Sequence, residues 1–199
     1  MIHPDTELRF ISEEKGYGVV ASKFIPRGTI TWVQDDLDRV FKRDELPSLN
    51  PFIKTYLQKY SFTNKNGDII LCWDNGKFVN HSFKPSCFST PYDFEIAIRD
   101  IHPGEELTDD YGYLNLEEPF TCIDENTERK TVYPDDILRY HQEWDALLLE
   151  NAHEVLKRDQ ILLDLIPKKT WCDYVTAVYN PSQMRSILEC YYQQEHSLL

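Results

Sequence analysis

The hydrophobic pattern of this 199-residue chain changes once, near Pro119, and that change fixes the fold class. Before it, short apolar runs alternate with turn residues. Gly16-Tyr17-Gly18 leads into Val19-Val20-Ala21, and Pro26-Arg27-Gly28 marks a tight, hairpin-like turn before Thr29-Ile30-Thr31-Trp32-Val33. Asn66-Gly67-Asp68 signals a turn ahead of a strand over 69–73, and Pro51 to Tyr60 reads as a short helix. Phe94 to Arg99 alternates apolar and polar side chains, as a half-buried strand does. A polar stretch from Asp124 to Lys130 follows, and then the period becomes helical. Ile137, His141, Trp144, Leu148, Ala152, Val155 and Leu162 recur every three or four residues until Pro167 ends the run. Thr170 is placed to cap a shorter helix bearing Trp171, Tyr174, Val175 and Val178. Asn180-Pro181 opens a last helix bearing Met184, Ile187, Leu188 and Tyr191. Strands first and helices afterwards predict an α+β fold, with a strand-rich part over 1–120 and a helical region over 121–199. The helical stripes read as core. The pattern leaves open whether they cover the strands, bind a partner or form a homodimer.

Charge narrows the partners. A formal net charge of −13 argues against phosphate-backbone binding, which needs clustered Lys and Arg, so no direct nucleic-acid binding is expected. An acidic surface instead concentrates basic proteins or peptides. No apolar run approaches the ~20 residues of a membrane span. Met1 to Asp5 lacks the basic-then-apolar layout of a signal peptide. The expectation is a soluble intracellular protein, cytoplasmic or nuclear, away from membranes. Five widely spaced cysteines with no Cys-x-x-Cys pair are expected to be reduced and mostly buried.

Three segments carry groups suited to chemistry. Gly16-Tyr17-Gly18 lets backbone approach a ligand closely. In Lys77-Phe78-Val79-Asn80-His81-Ser82, the Asn-His pair offers donors and acceptors that can read a heterocycle or a zwitterion. Pro103-Gly104-Glu105-Glu106-Leu107-Thr108-Asp109-Asp110-Tyr111-Gly112-Tyr113 sets an acidic pair beside two tyrosines. Taken singly, these are a hairpin turn, a buried hydrogen-bonded pair and a strand with an acidic edge. Together and in this order they resemble the SET domain of protein-lysine methyltransferases. Ile25-Pro26-Arg27-Gly28-Thr29-Ile30 matches the turn that follows that family's first motif, and the resemblance runs over about residues 8–120.

The resemblance implies a β-rich core of short sheets with a knot-like active site, and S-adenosylmethionine as methyl donor. Gly16, Tyr17, Gly18, Asn80 and His81 would hold the donor, and Tyr111 would be catalytic. The implied substrate is a lysine of a basic protein, histones among the candidates. Many members bind zinc through Cys-x-Cys-x4-Cys and the cysteine of Asn-His-Ser-Cys. Here those positions are Cys122, Asp124, Arg129 and Phe83, so no metal is expected. The C-terminal helices, or Phe120 near Cys122, are expected to help close the site instead. Ser86 stands where the family has Asn. Asp109 stands where it has Phe or Tyr, which puts the number of methyl groups added in doubt, and is expected to face solvent. Only a neutral amine can attack. Removing the lysine proton at pH 7 costs about 4.6 kcal/mol from a pKa near 10.4, and desolvation lowers that cost. Tyr111 is not read as a general base, because an ordinary tyrosine ionises near pH 10. Activity is therefore expected to rise toward about pH 9.

Overall fold

Frequent glycines and prolines divide the N-terminal two-thirds into strands too short to build one broad sheet. The computed structural model describes residues 1–193 and contains five small sheets and three α-helices. β1 (Thr6–Ser12) and β2 (Gly16–Ala21) form an antiparallel hairpin. β3 (Ile30–Val33) and β4 (Arg39–Phe41) follow, and then α1 (Pro51–Tyr60). Asn50 caps α1 by accepting the Phe52 N–H, with Pro51 at a first-turn position. β5 (Ser61–Thr63) and β6 (Ile69–Leu71) join through a turn in which Asn64 Oδ1 accepts from Asn66 and Asp68 and Gly67 adopts φ +79°. β4 pairs with the other side of β6. The strand expected over 69–73 therefore stops at Leu71.

The next strands carry the site. β7 (Asn80–His81), β8 (Cys87–Ser89), β9 (Phe94–Ala97) and β10 (Thr108–Asp109) are all short. β9 is the central strand of the β3-β9-β8 sheet, and β7 pairs in parallel with β10. β11 (Phe120–Thr121) and β12 (Thr131–Val132) form a small hairpin. α2 (Asp136–Val155) and α3 (Lys168–Tyr179) complete the chain's regular structure. No described helix is long and apolar enough to cross a membrane.

Several expectations are corrected here. The Pro26-Arg27-Gly28 turn does not make a hairpin, because β2 pairs with β1 and β3 pairs with β9. It receives the end of α2 instead. A Cβ on Gly28 would come within 2.5 Å of the Glu154 backbone, and Arg27 Nε donates to Asn151 Oδ1 at 2.6 Å. β9 is buried along its whole length rather than on one face. Phe94 and Ile96 join a core with the C-terminal helices, while Ala97 joins a second core with Val19, Ile25 and Leu107. The helical run expected to reach Pro167 ends at Val155; Leu162 is still buried, but in the connection to α3. Thr170 lies inside the first turn of α3, which starts directly after Pro167. The last helix is replaced by two 3-10 turns, Pro181–Gln183 and Ile187–Cys190. Only Cys72 and Cys87 of the five cysteines are buried.

The helices cover the strands. Trp144, Leu148 and Val155 of α2 and Tyr174 of α3 pack with Phe88 and Phe94 in one apolar core. The stripes that left three roles open are thus used against the β-rich part of the same chain.

Candidate active site

Two loops meet where β7 runs beside β10. The register pairs Asn80 with Thr108 and His81 with Asp109. Ser82 N–H donates to the Asp109 carbonyl at 3.0 Å, and Ser86 N–H donates to the Thr108 carbonyl at 3.1 Å. Ser86 Oγ accepts the Thr108 N–H at 3.0 Å, so the serine standing for Asn serves this crossing. Tyr111 is held at both ends. Its N–H donates to His81 Nδ1 at 3.1 Å and its hydroxyl donates to the Val79 carbonyl at 2.7 Å. Asp110 caps the turn Tyr111–Tyr113 by accepting the Gly112 N–H at 2.9 Å. Burial and the nearby charges of Asp109 and Glu106 push the Tyr111 hydroxyl's pKa well up, which keeps it neutral.

The glycine motif is tied to the same crossing. Asn80 Nδ2 donates to the Tyr17 carbonyl at 3.1 Å and to Glu106 Oε1 at 2.7 Å, while Glu106 Oε2 accepts from Lys15 Nζ at 3.0 Å. Gly18 must lack a side chain here: a Cβ would stand 2.5 Å from Glu106 Oε1 and 2.8 Å from Asn80 Nδ2. Gly16 adopts φ +76° with open space around it, and Tyr17 is exposed. His81 is buried, and burial lowers its pKa although Asp110 and Glu125 pull it up. Because Nδ1 accepts from Tyr111, the neutral ring carries its proton on Nε2. That buried nitrogen has no partner within the described chain. Phe120 packs its ring 5.9 Å from that of His81 and 6.1 Å from that of Tyr111. Of the expected site residues, Tyr17, Gly18, Asn80, His81, Tyr111 and Phe120 therefore meet around one crossing.

They do not share one opening. A groove of about 1090 Å³ is lined by Val79, Tyr111, Tyr113 and Phe120, but not by Gly16, Tyr17, Gly18, Asn80 or His81. Tyr111 thus links the groove to the Asn-His side through its backbone.

Asp109 does not face solvent as expected. It is buried and lines the groove, where its Oδ1 accepts from the Tyr113 hydroxyl and from the Asp110 N–H. Glu95 of β9 faces it and accepts from the Thr31 hydroxyl at 2.6 Å. Burial pushes both carboxyls up, and the Glu95 charge pushes Asp109 up further.

The positions matched to zinc ligands hold another device. The Arg129 guanidinium sits 4.5 Å from the centres of the Phe83 and Tyr140 rings. It also pairs with Asp110 at 2.5 Å and Asp136 at 2.6 Å. Glu125 accepts from Ser82 Oγ and the Phe83 N–H, and Asp124 pairs with Lys130. Among the described residues no cluster of three or more His, Cys, Asp or Glu is arranged to hold a metal. Sequence reasoning missed Glu95, Glu106 and Arg129 as parts of the site. Only Glu106 carried a signal, as the inward member of an acidic pair at a strand edge.

The SET domain family model matches residues 16–112. No curated protein matches the chain. Similar solved structures include KRYPTONITE in complex with mCHG DNA and SAH, at 24% identity and a TM-score of 0.42 over 61% of this chain and 28% of that one. The methyltransferase domain of the human histone-lysine N-methyltransferase SETMAR is 19% identical, with a TM-score of 0.47 over 67% of this chain and 58% of that one. This chain thus spans less than two-thirds of either. The Gly-x-Gly, Asn-His-Ser and Asp-Tyr segments that meet at the crossing all lie within the matched residues, and this chain carries a SET domain.

Proposed function

We propose that the chain is an S-adenosylmethionine-dependent protein-lysine N-methyltransferase acting on a basic protein. The observation that carries this reading is the placement of Tyr111. It lines the groove while its backbone is fastened to His81, beside the Asn80–Tyr17 contact. The donor group fits the other side on two observations: the buried, unpartnered Nε2–H of His81 and the open main chain at Gly16. Gly16, Tyr17, Gly18, Asn80 and His81 would hold it, and Phe120 would cover it. When bound, it supplies an electrophilic methyl group.

This chain's own residues then do three things. The groove takes a peptide, and acidic side chains outnumber lysines along it, which favours basic substrates such as histone tails. Tyr111 and Phe120 exclude water from the amine. Val79 fixes the Tyr111 hydroxyl, whose oxygen orients the amine for in-line attack; such alignment is worth about 7–11 kcal/mol at best.

The test is transfer of radiolabel from S-adenosylmethionine to mixed histones and to a cell extract, with Tyr111→Phe beside the wild type. Label released as methyl-lysine and lost in the variant supports the reading. The buried Asp109 beside Tyr111 favours a second reading, a module that binds cofactor or basic peptide without turnover. Cofactor binding with no label on any protein would establish it.

A further inference from the structure

We propose that Asp109 and Glu95 form the proton acceptor of this site, taking the proton that a substrate ammonium must lose before its nitrogen attacks. The inference rests on the methyl-transfer reading above and adds a catalytic pair to it.

The pair is built into the groove. Asp109 ends β10 two residues before Tyr111, and Glu95 lies in the central strand β9; both line the groove. One oxygen of each is fixed by a hydroxyl, Tyr113 for Asp109 and Thr31 for Glu95. Of the charged groups around Asp109, Glu95 acts on it most strongly. The groups facing them are Thr31 from β3, Cys72 just after β6, Cys87 from β8, and Asp110, Tyr111 and Tyr113 from the chain after β10. No Lys, Arg or His among the described residues pairs with either one. Two bare carboxylates in contact and out of water are strongly disfavoured, so one proton stays between them. Burial raises both carboxyls, and the Glu95 charge raises Asp109 further. The remaining single charge attracts an ammonium, and the raised basicity lets the pair take its proton.

No neighbouring group competes. The Tyr111 hydroxyl is spent on the Val79 carbonyl, and His81 Nδ1 is spent on the Tyr111 N–H. In the step, one N–H bond of the ammonium breaks and an O–H bond forms on the pair. The freed lone pair forms the N–C bond as the methyl–sulfur bond breaks, and sulfur keeps those electrons as a neutral thioether. The product is a methylammonium. The proton on the pair leaves through the groove to solvent, which is the one proton the overall reaction releases.

A site with no acceptor depends on amine ionised beforehand, so its rate climbs about tenfold per pH unit below the lysine pKa near 10.4. A site with this acceptor starts from ammonium and singly charged pair, whose total proton count does not change through neutrality. Its rate stays level there and falls only on the acid side, where the pair takes its second proton before substrate binds.

The experiment is the single-turnover rate of methyl transfer from radiolabelled S-adenosylmethionine to a histone peptide between pH 6 and 10. Wild type is compared with Asp109→Asn and Glu95→Gln, each checked for its melting transition and cofactor binding. The expected wild-type rate changes by less than about threefold from pH 7 to 9. Each variant is expected to be roughly a thousandfold slower at pH 7, to gain about tenfold per unit, and to approach wild type near pH 10. Variants that keep the wild-type profile, or that lose rate equally at every pH, would overturn the pair's role and leave the methyltransferase reading intact. Wild type that transfers no methyl at any pH would overturn both. The infrared carboxyl stretch gives a readout without turnover. Peptide binding to wild type at pH 8 is expected to increase the protonated-carboxyl band, and Asp109→Asn to abolish the increase. An unchanged wild-type band would also sink the proposal.

Discussion

At the scale of single residues, the site depends on groups whose ordinary behaviour burial has changed. Asp109 and Glu95 hold, when folded, a proton that the unfolded chain releases, because their folded pKa values are raised. Their stabilisation is complete below the ordinary carboxylate pKa of about 4 and is lost as pH rises through the raised values. Thermal melts from pH 4 to 8 are therefore expected to show Asp109→Asn gaining on the wild type as pH rises. A constant offset would contradict the shared proton. His81 behaves in the opposite sense: buried and neutral, it contributes stability above pH about 6.5 that is lost as pH falls through its lowered folded value. Gly18 tests the Asn80 contact. Gly18→Ala forces a methyl against Glu106 and Asn80, with an expected cost of about 1–3 kcal/mol. Titration calorimetry with S-adenosylmethionine is expected to give at least about tenfold weaker binding, whereas retained affinity would detach the glycine from the site. Asp109 also marks the limit of what the sequence reveals locally. Nothing near it says which way it points, since its direction is set by β7, which pairs with β10 from 28 positions away, and by Glu95 on a third strand.

At the scale of elements, the β11–β12 hairpin is fastened to the site through Arg129. Its guanidinium joins Asp110, the cap of the Tyr111 turn, to Asp136 at the start of α2. Arg129→Gln leaves two buried carboxylates uncompensated, with an expected loss of about 3–5 kcal/mol in denaturant unfolding. Arg129→Lys is expected to recover little of it, because one ammonium cannot span both acids and stack on Phe83 as a planar fork does. Full rescue by lysine would reduce the device to simple charge. On α2, Trp144→Ala is expected to cost about 3–5 kcal/mol, and the exposed Leu149→Ala to stay within about 0.5 kcal/mol, by the same measurement. The elements legible in sequence were those with local chemistry. Pro51 starts α1 where expected, and the stripe from Ile137 to Val155 lies on α2. β9 was misread as half-buried because its second face is covered by helices more than 40 residues later, which no window around Phe94 contains. Arg129 sits in a polar stretch with no periodicity, and only the fold brings it to Asp110.

At the scale of the molecule, one core crosses the expected boundary between a strand-rich part and a helical region. Ile30, Phe88 and Phe94 pack with Trp144, Val155 and Tyr174. A chain ending at residue 120 is therefore expected to lose cooperative unfolding and chemical-shift dispersion, although it keeps all of the family-matched residues and the β7–β10 crossing. A sharp, native-like transition in that fragment would show the helices to be an accessory. The shared core also bears on how the chain is made. Phe94 and Tyr174 pack edge to face at 5.1 Å yet stand 80 positions apart. At about 5–20 residues per second the ribosome needs roughly 4–16 s to deliver the second after the first. Through that interval the nascent chain carries an uncovered aromatic sheet face, which makes its newborn form a natural client for chaperones that shield apolar surface.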